Sequence, residues 1–136
     1  MDKPHGLNRA SMPQSPDAPD RMAGMVPGVK AGGFLFLSAI RGRTKAGDLP
    51  PDPLSQAQQA LVNLEAVLVG SGATLRHVVK VTLYLSDLEM RKPFHQAWMD
   101  AFPTDPPARI AICVADANAT PGGGAHYALD VIALAP

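Results

Sequence analysis

The residue of this chain with the plainest chemical use is an arginine that follows two prolines. Arg109, in Pro106-Pro107-Ala108-Arg109, is charged at any physiological pH, and its planar fork fits a carboxylate through two parallel hydrogen bonds. Its rival role is an ion pair at a subunit contact. His126 is the histidine best placed for proton transfer, because alternation along a strand puts it on one face with Ala128 and Asp130. Asp130 can then orient the imidazole, or form a salt bridge between subunits. His126 itself can equally be a packing or solvent-facing residue. Ser38 is expected as a hydrogen-bond donor rather than a nucleophile, since no base accompanies it. Arg41 and Arg43, in Arg41-Gly42-Arg43, can bind a second anionic group of a dicarboxylate or phosphate ligand, or sit in a solvated loop. Cys113 shares a strand face with Arg109 but sits in an apolar strand with no activating base nearby, so an inert, buried thiol is expected.

The elements that must carry these groups follow from periodicity. The apolar run Phe34-Leu35-Phe36-Leu37-Ser38 predicts a buried strand. Asp52 as cap and Pro53 at the first helical position open a helix, and Leu54, Ala57, Leu61, Leu64 and Leu68 form its single apolar stripe. Gly70-Ser71-Gly72 ends it. Residues 78–86 alternate, with Val79, Val81, Leu83 and Leu85 expected on one face and Lys80, Thr82, Tyr84 and Ser86 on the other. A second helix over 90–102 packs through Met90, Phe94, Ala97 and Trp98, which leaves His95 on its outer side, and Pro103, Pro106 and Pro107 close it. The next strand, 108–115, is read with Ala108, Ile110, Ile112 and Val114 inward and Arg109, Ala111 and Cys113 on the opposite face. The last strand sets Tyr127, Leu129 and Val131 against His126, Ala128 and Asp130. Two single-stripe helices need a sheet to lie on, so the fold class is α+β, with both helices on one face. The other face, small, polar or charged in this reading, must meet solvent, a ligand or another subunit. Residues 1–22 carry Pro4, Gly6, Pro13, Pro16 and Pro19 without apolar period, and are expected to be flexible or draped over a neighbouring subunit. Residues 23–136 then form one domain.

Composition removes several classes of function. Twelve Lys and Arg balance twelve Asp and Glu, which leaves no overall basic footprint for nucleic acid. The single cysteine rules out an intrachain disulfide. His5, His77, His95 and His126 have no metal-type spacing, and the one glycine cluster leads into a strand rather than a helix, so neither a metal nor a nucleotide cofactor is expected. No segment has the apolar length of a signal peptide or a membrane span, and the cytoplasm is the expected compartment.

With these pieces in place, the chain resembles the RidA/YjgF family over residues 24–135. The resemblance rests on Val29-Lys30-Ala31-Gly32 leading into Phe34-Leu35-Phe36-Leu37-Ser38, on Gln56 and Asn63-Leu64, on Gly72-Ala73-Thr74 before Val78-Val79-Lys80-Val81-Thr82, and on Pro107-Ala108-Arg109. It implies a chorismate mutase-like fold, a homotrimer whose sheets meet in a central barrel, and ligand clefts between adjacent subunits. It also implies hydrolysis of reactive enamines and imines such as 2-aminoacrylate to 2-keto acids and ammonia, without metal or organic cofactor. Relatives deaminate aminomuconate-type intermediates of aromatic breakdown.

Position by position, Arg109 matches the family's carboxylate-binding arginine and Ser38 its serine. The glycine after that serine is Ala39 here, and the cysteine two residues beyond the arginine is Ala111. The family tyrosine falls at Met25 and its glutamate at Ala128, where a methyl can neither hold water nor move a proton. The expected function is therefore hydrolytic deamination of a small enamine or imine carboxylate. Arg109, Ser38, Ala39 and Arg41 would bind substrate, and His126 with Asp130 would supply the acid-base group. The alternatives are a non-catalytic trimer that binds a small acid or a partner protein, and a hydrolase of an aromatic-degradation intermediate on the same scaffold. The loop Asn118-Ala119-Thr120-Pro121-Gly122-Gly123-Gly124 is longer than the family pattern and is either an anion-binding or a simple turn.

Overall fold

The computed structural model describes residues 8–115 and 124–136. Strands β1 (Arg9–Ser11), β2 (Gly28–Ala31) and β3 (Phe34–Leu37) lead into helix α1 (Pro53–Val69). Strand β4 (Val78–Leu85), helix α2 (Arg91–Ala101), and strands β5 (Ala108–Cys113) and β6 (Tyr127–Leu134) follow. The strands make one sheet in the order β1-β2-β3-β6-β4-β5, and β4 and β5 are its parallel pair. Both helices cover one face, as their single stripes require. The core between the layers contains Leu35, Leu64, Leu83, Phe94, Tyr127 and Leu129, all 0–1% exposed.

Helix α1 begins as the sequence predicts. Asp52 caps it by accepting from the Ser55 backbone N–H at 2.9 Å, and Pro53 stands at its first position. Hydrogen bonding to Ser55 holds the Asp52 carboxyl below the usual carboxylate range. The helix stops at Gly70, and Gly72 takes φ +73°, a conformation that suits glycine at a helix exit.

The structure departs from the sequence reading in four places. Residues 9–18 are part of the packed unit rather than a free tail. β1 pairs antiparallel with β2, and Met12, Ser15 and Ala18 are buried. Isolated apolar residues between prolines carry no period, so nothing local announces this packing; the open edge of β2 supplies it. Second, β3 is half-buried: Leu35 and Leu37 face the core, while Phe34 and Phe36 face outward at 38% and 44% exposure. Third, Val79 faces out at 41% exposure because the ladder to β6 slips between Val78 and Lys80, so Val78 takes the core position instead.

The fourth is the largest correction, since β5 is inverted. Arg109 pairs with core-facing Val81, Ala111 with Leu83 and Cys113 with Leu85, so these three point to the helix side. Ile110 and Ile112 lie beside Thr82 and Tyr84 on the open side, 49% and 40% exposed. In Ala108-Arg109-Ile110-Ala111-Ile112-Cys113 hydropathy favours the isoleucines for the core. The parallel register with β4 decides otherwise, because a one-residue change flips every side chain. The open face is consequently more apolar than expected, with Phe34, Phe36, Ile110, Ile112 and Leu134 all exposed.

Candidate functional site

Inversion of β5 places Arg109 against α2. Its guanidinium carbon lies 4.7 Å from the centre of the Trp98 ring and 5.9 Å from that of Phe94, within cation–π range. Nη2 is 3.1 Å from His95 Nδ1, and because arginine can only donate, this nitrogen of the imidazole must be the acceptor and the ring proton sits on Nε2. Nη1 is buried without a hydrogen-bond partner. Burial lowers the pKa of this guanidinium from its ordinary value, though far from enough to discharge it. A depression lined by Arg91, Lys92, His95, Gln96, Met99 and Arg109 opens beside it. The arginine is thus a partly desolvated charge, braced by an aromatic face and an imidazole, with donor capacity to spare.

The spacing missed His95 as a partner of Arg109. On helical geometry alone it belongs to the outer side of α2, and it is indeed exposed. The contact arises because β5 is the sheet edge and its inward arginine reaches around the rim of the helix.

A second constellation lies at the other end of the sheet. Pro19, Asp20, Arg21, Met22, Met25, Ala39, Arg41, Arg43, Asn63 and Val67 help to line a cavity of about 290 Å³. Arg21 Nη1 donates to the Ala39 carbonyl at 2.6 Å. Desolvation, with a smaller contribution from the like charge of Arg41, lowers the Arg21 pKa. Ser38 donates its hydroxyl proton to the Val26 carbonyl at 2.6 Å, and its backbone N–H to Pro27. It therefore ties the segment before β2 to the end of β3, and as positioned it is a strap more than a ligand donor.

His126 and Asp130 do not form the expected pair. His126 Nδ1 is 3.0 Å from Ser86 Oγ, and its backbone N–H donates to Gln56 Oε1 at 3.0 Å. Asp130 is exposed and pairs across the ladder with Thr82. Four residues of extended chain separate the two side chains by about 13 Å, too far for one to orient the other. Ala128, at the family's glutamate position, is 6% exposed and faces Tyr84 on β6's neighbour. Cys113 is exposed. The loop of 118–124 lies outside the described residues except for Gly124, whose carbonyl accepts from Gln56 Nε2 at 3.1 Å.

Within one chain, then, the site residues fall into separate groups. Arg109 on β5 and Ser38 after β3 are three strand spacings apart in the sheet, about 14 Å at ~4.8 Å each. Among the described residues no three of His, Cys, Asp and Glu converge as a metal site, and no helix is long and apolar enough to cross a membrane.

Comparison with known proteins gives this arrangement its context. A model of the endoribonuclease L-PSP family matches residues 15–123. A RutC family protein of Pyrococcus horikoshii is 31% identical over 106 residues, covering 71% of this chain and 78% of that protein. The chloroplastic Reactive Intermediate Deaminase A of Arabidopsis thaliana is 32% identical over 100 residues, covering 72% of this chain and 54% of its own length. In three dimensions the crystal structure of RidA from an Antarctic Psychrobacter superposes with a TM-score of 0.83 at 25% identity, over 92% of this chain and 99% of that one. The mixed sheet with both helices on one face is the chorismate mutase-like fold of these proteins. The chain belongs to the RidA/YjgF family of L-PSP proteins.

Proposed function

We propose that this protein is a hydrolytic deaminase of small enamine or imine carboxylates, working in clefts completed between copies of the chain in a homotrimer. The observation that carries the reading is Arg109: a guanidinium braced by Trp98 and His95, with Nη1 buried and unpartnered beside an open depression. A carboxylate supplies the missing acceptor and the neutralising charge. Two further features support assembly. The open sheet face exposes Phe34, Phe36, Ile110, Ile112 and Leu134, more apolar surface in one place than scattered residues account for. The ~14 Å between Arg109 and the Ser38–Ala39 region is bridged for a small ligand only if a second copy brings its own Arg109 across.

In this reading the substrate carboxylate lies on Arg109, and an enamine first tautomerises to the imine. Water adds to the C=N carbon of the protonated imine, its proton passes to nitrogen, and the C–N bond breaks to release ammonia and a 2-keto acid. An iminium is already electrophilic, so orientation and partial exclusion of water do much of the work. His95, with its proton on Nε2, holds the arginine rather than acting as the base. His126 is the chain's candidate for proton transfer, its Nδ1 held by Ser86 rather than by Asp130.

The second reading, a trimer that binds a small acid without turnover, draws on Ala128, Met25 and Ala39 at positions where the family carries chemistry. Ammonia release from 2-aminoacrylate, generated in situ by a serine dehydratase, separates the two. The expected result is acceleration over the spontaneous rate that falls at least tenfold in Arg109→Ala. No acceleration by the wild-type chain refutes deamination of this substrate, and acceleration that survives Arg109→Ala refutes the clamp.

A further inference from the structure

The depression beside Arg109 is lined by three permanent cations, Arg91, Lys92 and Arg109, and by no carboxylate. All of its lining except Arg109 comes from α2, where Arg91, Lys92, His95, Gln96 and Met99 form one stripe down the outer side of the helix. Charge is sorted across that helix. Asp100 lines the groove on its other flank, together with Glu65 of α1. Glu89, the nearest carboxylate before Arg91 in sequence, takes no part in the depression. Arg91 and Lys92 are exposed, and among the described residues neither forms an ion pair. Both also open α2, where the helix dipole disfavours positive charge, and the first turn holds neither an acidic side chain nor a side-chain cap from Met90. These cations stand against local preference, and departures of that kind gather at functional sites.

Arg109 gives the depression a fixed end. Its Nη2 is held by His95 at 3.1 Å, while Nη1 is buried without a partner, so a first carboxylate belongs on Nη1. Arg91 lies one helical turn before His95 and Lys92 three residues before it, which sets their Cβ atoms about 5–6 Å from that of His95. Their long stems bring both heads within reach of a group two or three carbons beyond the first carboxylate. The depression, of about 530 Å³, has room for a ligand of that length. We propose that Arg91 and Lys92 determine specificity at the Arg109 site, and that they select dianionic substrates: imines or enamines that carry a second carboxylate. The proposal rests on the deaminase reading for the carboxylate at Arg109 and adds the class of substrate. Arg91 and Lys92 touch the far carboxylate and take no part in the chemistry at the C=N carbon.

The test compares two saturated acids of equal chain length, butanoate and succinate, by calorimetric titration of the full-length chain near neutral pH, where both are fully ionised. An exposed charge pair contributes up to about a factor of five in affinity, so two cations closing on one carboxylate should favour succinate about tenfold. The double variant Arg91→Gln/Lys92→Gln is expected to bring the two acids within about twofold of each other, in protein whose circular dichroism matches the wild type. Lys30→Gln, a loss of positive charge on β2, should leave the preference unchanged and separates a local contact from the effect of net charge. Equal affinity for the two acids in the wild type overturns the proposal. So does a preference that survives in the double variant, or one that falls as far in Lys30→Gln, or failure of succinate to bind. Butanoate binding that depends on Arg109 without preference for succinate removes the proposal and leaves the clamp standing. The deaminase reading fails separately: a preference lost in the double variant, without ammonia release from any imine, including that formed from aspartate by an amino-acid oxidase, keeps the dianion site and removes the deaminase.

Discussion

Asn63→Ala tests how the loop from Arg41 to Arg43 is held. The side chain is 3% exposed and donates two 2.7 Å hydrogen bonds, to Arg41 and Arg43, while accepting a third from Gln59 Nε2 at 2.9 Å. Gln59 is half-buried and can turn to water, so its loss is small. The two carbonyls lose their donor together, at roughly 1–2 kcal/mol each once partial desolvation is included. Alanine returns about 0.5 kcal/mol through its helix propensity. The net expectation is a loss of about 2–3 kcal/mol, or roughly 6–15 °C in Tm for a chain of this length. Urea or guanidinium unfolding at one fixed protein concentration measures it, because association would otherwise make stability depend on concentration. Asn63→Asp should cost more at neutral pH, since it sets a carboxylate against two carbonyl oxygens. A loss below about 0.5 kcal/mol for Asn63→Ala would show that water takes over both carbonyls and that Asn63 does not hold the arginine loop.

Three further outcomes are expected. His95→Ala should weaken binding of a carboxylate several-fold by releasing Arg109 Nη2, while His95→Asn, which keeps an acceptor near the same place, should recover most of it; equal loss in both would assign His95 no part in positioning the clamp. Tyr127 donates to the Met90 carbonyl at 2.7 Å, and desolvation raises its pKa to about 12 from 10.0. A group whose neutral form is favoured by folding, so that its pKa rises, contributes stability fully below the unfolded pKa, so stability should fall as pH rises from 10 towards 12; Tyr127→Phe should lose about 1 kcal/mol at neutral pH and show a flatter decline. If the proposed trimer forms through the open sheet face, Ile110→Lys there should dissociate it in sedimentation velocity with little change in circular dichroism, and an unchanged sedimentation coefficient would remove that face as the interface.

Much of this protein is legible in its sequence alone. Asp52-Pro53 and the leucine stripe define α1, because capping and a 3.6-residue period are local properties that depend on neighbours in sequence. The alternation of Tyr127, Leu129 and Val131 against Ala128 and Asp130 defines the two faces of β6 for the same reason. The motif pieces around Ser38 and Pro107-Ala108-Arg109 identify the family. What the sequence could not supply was anything set by partners far along the chain. Hydropathy alone points β5 the wrong way because every residue from Ile110 to Cys113 is apolar or small, and only pairing of Arg109 with Val81 sets which side is inward. His95 meets Arg109 because an edge strand and a helix rim happen to come together in space. Arg21 joins Arg41 and Arg43 because β1 docks on β2 and carries its flanking segment over Ala39. A strand's period and a helix's cap are written in adjacent residues. The register between strands and the meeting of distant charges are properties of the packed whole, and there the tertiary structure alone decided.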